Sequence, residues 1–178
     1  MRIFLIRHGE SESNVIHQIN DDPRRIVNLT ARGREQAKTA SDKLRKVQFT
    51  HAYASEFPRA QQTAAILLRH HGMPLNIDAR LNERRSGMDG QHVDMFNDYV
   101  RADYLRNKPP QGESFLELME RMHSFLDEVA VLHADGTVLA VSHENPVVAA
   151  LALRADDPET VMRESIANCE WLELDWLV

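Results

Sequence analysis

Cysteine is almost missing from this chain of 178 residues: Cys169 stands alone, so no disulfide can close within it and no multi-cysteine metal centre can form. A lone thiol suits a reducing compartment, and the expected location is the cytoplasm. Long apolar runs are missing too. No window approaches the ~18 consecutive apolar residues that span a bilayer, and the N-terminus lacks the cationic start and apolar stretch of a signal peptide. There is no surplus of positive charge. With 21 Lys and Arg against 27 Asp and Glu, the formal net charge is -6, so the electrostatic footprint of a nucleic-acid binder is absent. Neither nucleic acid nor membrane is an expected partner, and any anionic ligand must be attracted by local charge. Internal repeats and low-complexity linkers are also lacking. A chain of this length, 43% hydrophobic and 27% charged, suits one globular domain over residues 1–178.

What is present is a succession of short apolar strands and amphipathic helices. Arg2 to Ile6 reads as a nearly all-apolar central strand, the pattern of a sheet covered on both faces. Thr30 can cap a helix in which Ala37, Ala40, Leu44 and Val47 recur at helical spacing, ending near Lys46. Thr50 to Ala54 reads as a strand, and Pro58 opens a helix that Gly72 and Pro74 stop. Leu75 to Ile77 is a weaker strand. Ser114 with Glu117 forms a capping box before the stripe Phe115, Leu118, Met122, Phe125, Leu126 and Val129, which predicts an amphipathic helix. Thr137 to Val141 is a strand, Asn145 to Leu153 a short helix, and the alternation from Trp171 to Trp176 predicts an edge strand. Strands separated by helices imply a three-layer α/β/α sandwich with a mainly parallel central sheet. The irregular stretch from about 87 to 111 reads as a lid-like surface insertion.

Two histidines sit at two strand ends: Arg7-His8-Gly9-Glu10 follows one apolar run, and Ser142-His143 follows another. In open α/β sheets, residues just past the carboxyl ends of parallel strands share one crevice. Arg59, at the start of the helix after the second strand, belongs beside it. Two guanidiniums and two imidazoles form an anion box, and planar arginines with helix N-termini suit a phosphoryl group. There a neutral imidazole can act as nucleophile, and a carboxylic acid can protonate the leaving oxygen; Glu83 is the candidate.

The chain resembles the histidine phosphatase superfamily, in its phosphoglycerate mutase-like branch. The resemblance is carried by Arg7-His8-Gly9-Glu10-Ser11 with Asn14, Leu29-Thr30 with Gly33 and Gln36-Ala37, and Ser55 with Arg59-Ala60 and Gln62-Thr63-Ala64. Further along, Leu81 with Glu83 and Gly87, Gly112-Glu113-Ser114 and Val141-Ser142-His143 complete it. These blocks run in order from residue 2 to about 148. The resemblance implies an α/β sandwich, a phosphohistidine intermediate at His8, phosphate ligation by Arg7, Arg59 and His143 with help from Asn14, and proton donation by Glu83. It implies neither a metal nor an organic cofactor. The expected activity is metal-independent hydrolysis of phosphomonoesters, on a small phosphorylated metabolite or a phosphoprotein. Mutase-type phosphoryl transfer, or a phosphate-binding regulatory module without turnover, are the alternatives.

Two departures favour hydrolysis. Glu144 follows His143 where mutases of the family typically carry glycine, and its carboxylate must point away for the phosphate site to work. The segment Gly87 to Gln111 is also shorter than a mutase lid, which leaves a phosphohistidine open to water. Arg84, Arg85, His92, Arg101 and Arg106 surround the expected mouth, where they could recognise a second anionic group on the substrate, but the preferred reading is a solvated charged face; His51, His70 and His71 are read as surface or helix-end residues rather than metal ligands.

Overall fold

The computed structural model describes residues 1–178, and its central element is a five-stranded sheet in the order β3-β2-β4-β1-β5. The strands are β1 (Arg2–Arg7), β2 (His51–Ala54), β3 (Leu75–Ile77), β4 (Thr137–Ser142) and β5 (Trp171–Asp175). β1, β2, β3 and β4 run parallel to their neighbours, while β5 is an antiparallel edge strand. β4 takes the middle position, with β1 beside it. The helices are α1 (Glu12–Val15), α2 (Ala31–Leu44), α3 (Pro58–Leu67), α4 (Val93–Val100), α5 (Phe115–Leu132) and α6 (Glu144–Ala152). No helix is long and apolar enough to cross a membrane.

The layering follows from the two-residue period of the strands. Ile3 and Leu5 of β1, with Val138 and Ala140 of β4, enter the core shared with α5 and α6. Phe4 and Ile6, with Leu139 and Val141, enter the core shared with α2 and α3. Both faces of β1 and β4 are therefore buried, which is why these segments read as unbroken apolar runs. The apolar stripe of α5 is buried from Phe115 to Val129, and its capping box is complete: Ser114 Oγ accepts from Glu117 N at 3.1 Å, and Glu117 Oε2 accepts from Ser114 N at 2.7 Å. Thr30 caps α2 by accepting from Gly33 N at 3.0 Å.

Four elements depart from the sequence reading. α2 stops at Leu44, and α6 starts one residue early, at Glu144. The 87–111 stretch is not wholly irregular, because it contains α4, capped by His92 at its start. Trp176 lies beyond β5, buried against α5, with Nε1 donating to Asp127 Oδ1 at 2.8 Å.

The turn after β1 is pressed against α2. A Cβ added at Gly33 would overlap the Glu10 carbonyl oxygen and lie 2.8 Å from the Glu10 nitrogen. We expect Gly33→Ala to destabilise the fold by about 1–3 kcal/mol, because the backbone on both sides has no room to give. Urea unfolding checks this, and a loss below about 0.5 kcal/mol would mean that turn and helix can separate freely.

Candidate active site

Parallel register brings the candidate residues to one end of the sheet. Arg7 pairs with Ser142, so His8 and His143 leave adjacent strands at the same level, and His8 N donates to the Ser142 carbonyl at 3.0 Å. Ser55 leaves β2 beside them, its N–H bonded to the Val141 carbonyl at 3.1 Å. The loop carrying Glu83 is tied to the same end by Ser142 Oγ, which donates to the Leu81 carbonyl at 2.6 Å. A cavity of about 590 Å³ opens there, its wall including Arg7, His8, Asn14, Arg59, Glu83 and Glu144.

Arg59 is the hub of the pocket. It is 3% exposed, stacks over the Phe57 ring with 4.4 Å between its guanidinium carbon and the ring centre, and makes no ion pair. Its Nε donates to His8 Nε2 at 3.1 Å and its Nη2 to His143 Nδ1 at 3.2 Å. Nη1 donates to Asn20 Oδ1, and Nη2 also reaches the Asn20 carbonyl at 3.2 Å. Burial lowers its pKa to about 10, which still leaves it charged at neutral pH.

A guanidinium can only donate, so these contacts define the imidazole tautomers. His8 keeps its proton on Nδ1, donating to the Gly9 carbonyl at 2.7 Å, and has its lone pair on Nε2. His143 carries its proton on Nε2, which donates to Ser55 Oγ at 2.8 Å, and has its lone pair on Nδ1. The rings stand edge to face, 5.0 Å between centroids. Both pKa values fall well below the usual histidine value, through burial first and the Arg59 charge second, so both rings are neutral at pH 7.

Glu83 is half-buried in the pocket wall. Its Oε1 accepts from Arg84 N at 2.8 Å, and burial raises its pKa despite that bond and the nearby Arg59. Asn14, at the edge of the pocket, completes the capping box of α1, its Oδ1 accepting from Ser11 N and Oγ, both at 3.0 Å. Its Nδ2 group is left as the donor it can offer a ligand. α6 begins directly after His143, so its N-terminal end lies at the same end of the sheet, an arrangement suited to an anion.

Arg7 and Glu144 overturn one expectation. Glu144 does not point away: its Oε2 lies 3.1 Å from Arg7 Nη1, and its Oε1 accepts from Ser165 Oγ at 2.8 Å. The helical backbone of α6 starts at Glu144 itself, so its side chain leaves from the rim of the pocket. Arg7 Nη1 also donates to the Ile166 carbonyl at 2.5 Å, while its buried Nε has no partner within the chain.

Arg84 is the second correction. It is 2% exposed rather than solvated, enclosed by the rings of Phe96, Tyr104 and Phe115 and donating to the Glu113, Tyr104 and Asn107 carbonyls. It joins α4 and the segment after it to α5. Arg85, His92, Arg101 and Arg106 are exposed, as a charged face requires.

Two residues of the site escaped sequence reasoning. Asn20 has no motif to mark it and joins the site only because its loop folds over Arg59. Ser55 lay in a recognisable block, yet its bond to His143 depends on two strand ends meeting. The Asn20 loop is itself held by Asp21, whose Oδ2 accepts from Ser86 N at 2.6 Å, Ser86 Oγ at 2.7 Å and Gly87 N at 3.0 Å.

A three-layer sandwich with two neutral histidines and two arginines at the carboxyl ends of its parallel strands defines a class. The chain belongs to the histidine phosphatase superfamily, branch 1, whose model matches residues 3–177. It is 34% identical over 154 residues to the protein named probable phosphoglycerate mutase GpmB from Klebsiella pneumoniae (strain 342), covering 80% of this chain and 69% of that one. Among solved structures it superimposes on the alpha-ribazole phosphatase from Shigella flexneri with a TM-score of 0.84 and 27% identity, over 98% of this chain and 90% of the other. Bacillus stearothermophilus YhfR shares the fold with a TM-score of 0.86 at 23% identity, over 98% of this chain and 90% of its own.

Truncating Asn20 leaves a buried Arg59 donor unpaired. We expect Asn20→Ala to lose about 1–3 kcal/mol of stability and to bind inorganic phosphate more weakly. Urea unfolding and calorimetric titration with phosphate check the two effects; unchanged phosphate affinity would mean that Arg59 needs no support from this loop.

Proposed function

We propose that this protein is a metal-independent phosphatase that hydrolyses phosphomonoesters through a phosphohistidine intermediate at His8. Small phosphorylated metabolites or phosphoproteins are its substrates. The observation that carries this reading is the state of His8: its Nδ1–H is fixed on the Gly9 carbonyl, and the lone pair of a neutral Nε2 lies beside Arg59. That is the protonation state a nucleophilic imidazole needs.

The phosphoryl group enters between Arg7 and Arg59. Its oxygens carry more negative charge than an imidazole nitrogen, so Arg59 Nε passes from His8 Nε2 to phosphate and frees the lone pair. Nε2 then attacks phosphorus as the ester P–O bond breaks, and the bonding pair leaves with the alkoxide. Glu83, whose raised pKa lets it hold a proton at a higher pH than an ordinary glutamate, protonates that oxygen. Water next attacks phosphorus, the P–N bond breaks, and the Glu83 carboxylate takes the water proton. Phosphate departs and neutral His8 returns. The charge that develops on the transferring group is met by fixed guanidiniums, His143, Asn14 and the first turn of α6.

Hydrolysis of p-nitrophenyl phosphate with excess EDTA is expected for the wild-type chain and is expected to vanish in His8→Ala. Equal activity in both would remove His8 from its role. Phosphate binding without turnover in either would make the protein a binding module.

Glu83→Gln is expected to lower kcat/KM by about 10²–10⁴-fold on an alkyl phosphate, and far less on p-nitrophenyl phosphate, whose leaving group needs little protonation. The sign of the pH dependence follows from the two shifts. Activity falls on the acidic side as His8 protonates, at a pH well below 6.5, and on the alkaline side as Glu83 loses its proton, at a pH above 4.5. The alkaline limb disappears in Glu83→Gln; its persistence would assign the proton to another group.

A further inference from the structure

The carboxylate of Glu144 is an anomaly for a phosphate pocket, because it occupies one of the two guanidiniums that a phosphoryl group requires. It is held there from two sides, by Arg7 Nη1 at 3.1 Å and Ser165 Oγ at 2.8 Å. The pair is partly sheltered, with side-chain exposures of 16% for Arg7 and 32% for Glu144, so solvent screens it only in part. No other carboxylate touches Arg7, and none touches Arg59. Glu83, the proposed proton donor, shares the same pocket wall, and the leaving group must lie against it. Any alcohol departing from a phosphate bound at Arg7 therefore sits in the negative field of Glu144.

The cations of the outer wall do not cancel that field through direct contact. Arg84 is enclosed by three aromatic rings. Arg163 stacks on Tyr104 with 5.0 Å from its guanidinium carbon to the ring centre, and its Nη2 donates to the Arg101 carbonyl at 3.4 Å. Asn145, next to Glu144, has its Oδ1 taken by the Tyr104 hydroxyl at 2.8 Å. The remaining wall mixes apolar side chains such as Phe96, Val148 and Met162 with polar ones such as Gln18 and Asn97, and Glu164 adds a further carboxylate to it.

We infer that Glu144 is a specificity-determining residue that selects phosphomonoesters whose alcohol portion is neutral or positively charged and rejects those carrying a second negative charge. The inference rests on the phosphatase reading and narrows its substrate class. It also explains how a histidine phosphatase pocket can disfavour transfer between positions of a phosphorylated acid: the acid's own carboxylate has to approach Glu144.

The test uses a matched pair, glycerol 3-phosphate and 3-phosphoglycerate, which differ by a hydroxymethyl group against a carboxylate. kcat/KM is measured by phosphate release for both esters; if neither is turned over, the ratio of their inhibition constants against p-nitrophenyl phosphate is compared between variants instead, as a measure of binding preference. The wild-type chain is expected to favour glycerol 3-phosphate. Glu144→Gln is expected to shift the ratio toward 3-phosphoglycerate by about tenfold at low ionic strength, and by less as salt is added. Glu144→Asp, which keeps the charge, is expected to retain the wild-type preference. A ratio within one variant does not depend on the fraction folded, so a purely structural role for Glu144 would leave it unmoved. Wild-type preference for 3-phosphoglycerate, or an unchanged ratio in Glu144→Gln, overturns the inference. Failure of the wild-type chain to hydrolyse p-nitrophenyl phosphate instead overturns the phosphatase reading, a separate result.

Discussion

A guanidinium buried without a carboxylate partner is costly, and the rest of this pocket is arranged around Arg59 in that condition. Desolvating a cation is tolerable only when every donor finds an acceptor. Here the acceptors are two imidazole nitrogens and both oxygens of Asn20, with the Phe57 ring beneath. Each acceptor is neutral, so the positive charge is hydrogen-bonded but not neutralised. That is a poor arrangement for stability and a good one for an anion, which can displace weak acceptors and gain a charge-assisted bond. The same charge, added to burial, keeps both histidines unprotonated, so one residue sets both the charge of the pocket and the protonation state of its imidazoles.

The supports of this hub come from distant parts of the chain. β1, β2 and β4 supply His8, Ser55 and His143 through parallel register, and α3 supplies Arg59 from its first turn. Ser142 ties the Glu83 loop to the strand that carries His143. Asp21 fastens the Asn20 loop to Ser86 and Gly87, so the two loops that flank the cavity are coupled. Beneath them, Glu113 is held by Arg121, with Nη2 to Oε1 at 2.5 Å, and accepts from Arg85 N at 3.0 Å. Arg84, inside its aromatic enclosure, secures the segment that contributes Phe96 and Tyr104 to the outer wall. The outer wall is thus built on buried anchors even though its own surface is polar.

Glu144 shows how a shared scaffold diverges. Its backbone belongs to the anion-binding turn that the family fold provides, and its side chain brings a negative charge into the same cavity. A shared fold does not fix what each member acts on, and local departures of this kind are where members of a family can differ.

Much of the architecture was already written in local patterns. The apolar runs of β1 and β4, the Thr30 cap and the Ser114–Glu117 box, and the alternation of β5 each act over a few residues, so sequence alone located those elements to within a residue or two. The ordered motif blocks likewise pointed to Arg7, His8, Asn14, Arg59 and Glu83, which line one cavity, and to His143, which is buried beside them against Arg59. What the sequence could not contain were properties created by contact between distant segments. Asn20 becomes a partner of Arg59 across 39 positions, and Ser55 of His143 across 88. The burial of Arg84, the inward turn of Glu144 and the tautomers of both imidazoles arise in the same way. Hydrogen-bond direction, desolvation and charge proximity are set by which groups share a low-dielectric space, and only the tertiary structure decides that.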